Sequence, residues 1–193
     1  MMGTFLIVIL VIAGLLFWSV GVYNKLVALI EAIKNNKKQI DIQLDRRYKV
    51  FESLIETVKQ YMDYEKTTLK DVVELRNQAQ AAKAAGDERG RIAAEEGISA
   101  IASNISVVFE QYPELQAGKN AMQLQEEIAN TENKLAYSKQ AYNDEIERYN
   151  ALKKSFFEAM VVSFFAAKLD VYFEYWGLPD ATIQSHEDYT VKF

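Results

Sequence analysis

The sequence predicts an all-α protein: a single N-terminal transmembrane helix continuing into an elongated antiparallel bundle of three to four up-and-down helices. Three observations carry that reading. Breakers are scarce, with 2 prolines and 8 glycines in 193 residues, while Ala, Leu, Glu, Lys and Gln, all good helix formers, are abundant. The stretch from Phe5 to Tyr23 holds no charged residue. Beyond it, apolar residues recur at alternating spacings of four and three, the period of packed helices.

The anchor comes first. FLIVILVIAGLLFWSVGVY, residues 5–23, approaches the roughly 20 apolar residues that, at 1.5 Å each, cross a hydrocarbon core of about 30 Å. Phe5, Leu6 and Ile7 open it. Trp18 and Tyr23 stand toward its inner end, where amphipathic rings favour the membrane–water interface. A cleaved signal peptide fits badly: no Lys or Arg precedes the run, the run is long for such a peptide, and no A-x-A site follows. Lys25, Lys34, Lys37 and Lys38 follow closely. The positive-inside rule then places the N-terminus outside and the body in the cytoplasm, a single pass through the cell inner (cytoplasmic) membrane. Residues 1–24 read as the anchor, 25–177 as the bundle and 178–193 as a polar tail.

The long first helix comes next. One row of its heptads is Ile30, Lys37, Leu44, Phe51, Val58, Glu65, Val72 and Ala79; the other is Leu26, Ile33, Ile40, Arg47, Leu54, Tyr61, Thr68 and Leu75. No Pro or Gly lies between Val22 and Ala85, so one helix is expected to run unbroken to about Ala85. Gly86 can close it as a left-handed cap, with Asp87 opening the next helix. That second helix, about Arg91 to Tyr112, carries Ile98, Ile101, Ile105 and Val108 on one stripe and ends at Tyr112-Pro113. The last helix starts near Pro113 or Lys119 and is expected to reach Trp176, where Gly177 and Pro179 stop it.

In that last helix Ile128, Leu135, Tyr142, Tyr149 and Phe156 form one row, and Leu124, Thr131, Ser138 and Leu152 the other. Large rings opposite small residues are expected to interlock as core wedges, their hydroxyls at the bundle edge or on a polar partner. Asn143 and Asn150 flank the seam. An aromatic cage for a ligand is the functional alternative. Folded back antiparallel, the helix returns residues 155–176 to the membrane surface, where SFFEAMVVSFFAAKLDVYFEYW is unusually apolar yet too short to span. Phe156, Phe157, Phe164 and Phe165 are therefore candidates for contact with lipid headgroups or a second copy; burial against the base of the first helix is the plainer reading.

Polar residues interrupt the apolar rows at Lys37, Arg47, Glu65 and Thr131. A charge in a core position destabilises unless it is paired, and such residues often set register. Equal rise along antiparallel helices places Arg47 roughly at residue 153, Glu65 roughly at 135 beside Glu132 and Asn133, and Arg76 roughly toward 124. Arg47, Glu65, Arg76, Thr131, Glu132 and Asn133 are thus expected to form a polar core, with Arg47 and Arg76 paired to acids of other helices.

Catalytic machinery is hard to assemble. His186 is the single histidine and there is no cysteine, which removes Cys-based metal sites, Glu-x-x-His di-iron pairs and nucleophilic triads. GDERGRIAAEEG lacks the Gly-Lys-Ser/Thr ending of a phosphate loop. Glu95-Glu96 and Glu126-Glu127 read as solvated helix faces. The net charge of −5 without a basic stripe argues against nucleic acid.

A family resemblance rests on Tyr23-Asn24-Lys25-Leu26-Val27, Gln43-Leu44-Asp45-Arg46-Arg47-Tyr48, Leu54-Ile55-Glu56-Thr57-Val58 and Arg76-Asn77-Gln78-Ala79. It resumes at Tyr112-Pro113-Glu114-Leu115, Leu124-Gln125, Thr131-Glu132-Asn133-Lys134-Leu135-Ala136, Tyr142-Asn143 and Tyr149-Asn150, and ends at Tyr172-Phe173-Glu174. In these the chain resembles the LemA family across roughly residues 20–176. Two departures stand out: Glu52 and Phe157 replace prolines usual in the family, which is expected to straighten both long helices. The resemblance implies an anchored helical bundle of bacterial type at the membrane or envelope, and no established reaction.

The expected function is a non-enzymatic, membrane-anchored scaffold or interaction protein, self-associating as a homo-oligomer and meeting other membrane or envelope proteins, with no cofactor, no metal and no nucleic acid. Gly14 and Gly21, seven apart on the anchor, permit close helix contact. The alternative is a membrane-tethered sensory or ligand-binding module opening near Tyr142 and Tyr149.

Overall fold

A computed structural model describes residues 2–58, 66–110 and 119–177. Those residues form six helices and no strand: α1 Met2–Val58, α2 Lys66–Ala85, α3 Glu88–Glu110, α4 Lys119–Lys154, α5 Phe156–Phe164 and α6 Ala166–Leu169. The contacts divide the chain into two units, 1–38 with 140–175, and 39–139 with 176–193.

The second unit is a four-helix bundle with alternating directions. Glu52 of α1 pairs with Arg76 of α2, and Asp41 with Lys83, so α2 descends as α1 rises. Asp41 also pairs with Arg91 and Arg47 with Glu95, which sets α3 parallel to α1. Ser99 and Glu96 of α3 bond Glu132 and Lys139 of α4, so α4 runs back again. The predicted single helix to Ala85 is therefore two antiparallel helices. Periodicity could not mark the reversal, because Phe51, Leu54, Val72 and Ala79 are all buried: the apolar rows keep their phase on both sides of it. The estimated register fails for the same reason, and Arg47 meets Glu132 rather than the level of residue 153. Tyr61, Glu65, Tyr112-Pro113, His186 and the tail 178–193 lie outside the described residues.

The α2–α3 corner follows from its sequence. Gly86 adopts φ 72°, a conformation open to glycine at little cost. The Asp87 and Gly86 amides then donate to Ala82 O and Lys83 O at 2.9 and 3.2 Å, satisfying carbonyls that α2 leaves open. Asp87 in turn caps α3, its Oδ1 accepting the Gly90 amide at 2.9 Å.

In the first unit, Leu26, Ile30 and Ile33 of α1 are buried, as are Tyr142, Ile146 and Tyr149 of α4. The last long helix does not reach Trp176. It breaks at Ser155, which is extended (φ −62°, ψ 143°); α5 and α6 follow, and residues 170–175 are non-helical. Removing the proline at position 157 thus leaves the break in place, whereas α1 is uninterrupted through Glu52. The break also shifts helical phase, so Phe156, expected in the core row, is 78% exposed.

Residues 170–175 return along α4, and the tyrosines explain how. An irregular segment packed on a helix needs partners for its backbone. The Tyr149 hydroxyl bonds Leu169 O and accepts the Val171 amide at 2.9 Å; Tyr142 donates to Glu174 O at 3.0 Å. The Phe173 ring lies edge-on to Tyr149 at 5.6 Å, and Asn150 donates to the Tyr175 hydroxyl at 3.2 Å. Both rings are closed wedges with committed hydroxyls, which leaves no aromatic cage at Tyr142 and Tyr149.

Candidate functional site

The densest chemistry lies inside the four-helix unit, around Arg47. Its side chain is 1% exposed, because it occupies an apolar row position of α1 between Ile40 and Leu54. Arg47 donates to both Glu95 Oε2 and Glu95 O, to Ser99 Oγ at 2.9 Å and to Glu132 Oε1 at 3.3 Å. Ser99 Oγ donates onward to Glu132 Oε2 at 2.9 Å, and Tyr48 donates to Glu95 Oε1. One buried cation therefore holds two carboxylates from two other helices. Such a network fixes register, since a slip by one turn would strand each charge in a dry interior.

Next to it α1, α2 and α3 line a cleft of about 190 Å³ that includes Asp41, Tyr48, Arg76, Lys83, Arg91 and Glu95. Arg76 pairs with Glu52 and lies 4.7 Å over the Tyr48 ring. Burial alone would push the Asp41 carboxyl up, but the bonds and charges of Arg91 and Lys83 outweigh it and hold Asp41 below its ordinary value. Burial, reinforced by the Glu95 carboxylate that it serves, pushes the Tyr48 phenol well above its ordinary 10.0. At the other side of α3, Glu96 accepts from Lys139 at 2.5 Å and from the indole of buried Trp176 at 3.1 Å.

The expected polar core is assembled only in part. Arg47, Glu132 and buried Thr131 sit on the seam, and Arg76 sits at its edge. Asn133 does not: it is exposed, because one step beyond Glu132 turns a side chain about 100° away from the interface. Glu95, read as part of a solvated face, is 2% exposed and central. The signal was present in the α3 stripe, since three and seven residues before Ile98 lie Glu95 and Arg91, both buried. Arg46 also reaches α4, pairing with Glu127. Among the described residues no group of three or more His, Cys, Asp or Glu is placed to hold a metal ion.

The first unit presents a different surface. Phe5, Leu6 and Ile7 are exposed, as is the apolar run through Trp18, with Phe17 at 86%, whereas Val22 near its end is buried. Phe157 and Phe165 contact its C-terminal end, edge-on to Trp18 at 6.2 Å and to Tyr23 at 5.1 Å. Phe156 and Phe164 point outward. Within the described residues α1 is the one helix long and apolar enough to cross a membrane.

Residues 36–193 match the LemA family. The chain is also similar to Protein LemA of Metamycoplasma hominis, 27% identical over 164 residues that cover 85% of this chain and 72% of that protein. Most of the sequence, including the Arg47 network, lies inside the matched region, and the chain belongs to the LemA family.

Proposed function

We propose that this chain is a membrane-anchored helical scaffold that works by association, with itself and with other membrane or envelope proteins, rather than by catalysis. The observation that carries the reading is the bare apolar run of α1. A core helix of a water-soluble protein hides such a surface, whereas only 6% of this window is buried. The Lys25–Lys38 cluster after it favours a body on the cytoplasmic side of the inner membrane. The Arg47 network favours a rigid bundle with one register, a property suited to presenting fixed surfaces. Fractionation tests the anchor: the full-length chain is expected to stay in the membrane pellet through an alkaline carbonate wash and to leave it only in detergent. Release by carbonate alone would reject the reading.

A second reading, a tethered ligand-binding module, draws support from the cleft beside Tyr48, which Arg76, Lys83 and Arg91 line. It predicts a saturable rise in melting temperature with a small anionic ligand. No such rise across a panel of small phosphates and carboxylates would remove it.

A further inference from the structure

We propose that α5 is an interfacial lipid-binding element, a second membrane contact beside the anchor; this rests on α1 being membrane-spanning. Within its nine residues α5 turns Val161 and Val162 inward and leaves Phe156, Phe157, Met160 and Phe164 exposed. Positions 156, 157, 160 and 164 fall within about 100° of one another on a helix of 3.6 residues per turn, so the exposed side chains make one apolar face. Exposure of that size on so short an element marks a contact surface.

The occupant follows from where the face sits. Phe157 packs edge-on against Trp18, and Phe165, which begins the α5–α6 corner, packs edge-on against Tyr23. Trp18 and Tyr23 are the rings at the end of the apolar run nearest Lys25. From Trp18 to Lys25 the rise along α1 is about 10 Å, the depth of the boundary between acyl chains and headgroups in which amphipathic helices lie. The exposed rings of α5 are therefore held at the level of the interface by the anchor itself. Lys154 and Lys168, exposed on either side of α5, suit anionic headgroups, and Glu158 is the sole charge within the helix. A second protein copy seated on this face would first have to displace lipid from it.

The chain contains no cysteine, so single-cysteine spin labels report directly. The full-length protein, reconstituted in vesicles of phosphatidylcholine and phosphatidylglycerol, carries a label at Phe156→Cys or Phe164→Cys. Leu10→Cys in the apolar run serves as the lipid reference and Arg148→Cys, on the exposed face of α4, as the water reference. The ratio of collisions with oxygen to collisions with a water-soluble nickel chelate is read at each site. The proposal expects the ratio at Phe156 and Phe164 to lie several-fold above Arg148 and toward Leu10. Water-like ratios at both α5 sites with a lipid-like Leu10 would overturn it while leaving the anchor intact. A water-like Leu10 would instead overturn the anchor, and the proposal with it. Strong label–label broadening at Phe164 without preference for oxygen would show a second copy on the face and refute lipid contact.

Discussion

Replacing Arg47 with alanine tests the packing logic of the four-helix unit. The guanidinium is 1% exposed and its partner carboxylate on Glu95 is 3% exposed. Arg47→Ala leaves that carboxylate in the interior with the Tyr48 hydroxyl as its remaining side-chain donor. Removing one partner of a buried ion pair costs about 3–5 kcal/mol. At about 2–4 °C per kcal/mol for a chain of this size, the melting midpoint should fall by about 6–20 °C. Far-UV circular dichroism of the full-length protein in detergent, with a urea titration beside it, measures both quantities. Arg148→Ala serves as the reference, because its pair with Glu145 leaves Arg148 69% exposed and should be worth under about 0.5 kcal/mol. The double replacement Arg47→Met with Glu95→Leu removes the Arg47–Glu95 pair, for which apolar substitutes are often neutral or better. It leaves Glu132 without Arg47 and the Tyr48 hydroxyl without Glu95, so it is expected to recover only part of the loss. A loss below about 0.5 kcal/mol for Arg47→Ala, the size of a surface change, would show that the Arg47 network does not hold the bundle together.

Tyr48, Asp41 and Gly86 of the same unit each have a measurable consequence. Tyr48→Phe strands a buried Glu95 oxygen and should cost about 1–3 kcal/mol. Because folding raises the Tyr48 pKa, wild-type stability should also decline as pH climbs past the ordinary phenol value, and this alkaline slope should shrink in the variant. Asp41 is shifted the other way: its folded pKa lies below the ordinary 3.8, so its contribution is present above that pH and lost as pH falls through the lower folded value. The difference in melting midpoint between wild type and Asp41→Asn should be flat near neutrality and narrow in acid; a constant gap down to the lowest measurable pH would contradict the Arg91 and Lys83 pairing. Gly86→Ala forces a side chain into a left-handed conformation at φ 72° and should cost about 1–2 kcal/mol in the urea titration.

Much of this architecture was legible in the chain. Helix formers, heptad rows and the Gly86-Asp87 punctuation specify helical class, core faces and the α2–α3 corner, because each depends on local geometry or on a period. Reversals made without glycine or proline were not legible. The rows of α1 and α2 run on in phase, so nothing local distinguishes one long helix from two antiparallel ones. Ser155 hid the break after α4 in the same way, and the non-helical residues 170–175 supply the polar partners that the sequence pattern expected for the tyrosine hydroxyls without locating them. Arg47 stood out because it interrupts an apolar row. Glu95 did not, because an acid beside another acid resembles a solvated face until the stripe through Ile98 is extended backward to include it.

Whether the membrane-anchored bundle acts by association is decided by the mass of the detergent-solubilised full-length protein. Light scattering coupled to size exclusion, with the detergent contribution subtracted, should give a defined multiple of the 22.0 kDa chain that persists on dilution. A mass equal to one chain at every concentration would contradict self-association, and the function would then have to lie with a different protein partner or with a ligand of the Tyr48 cleft.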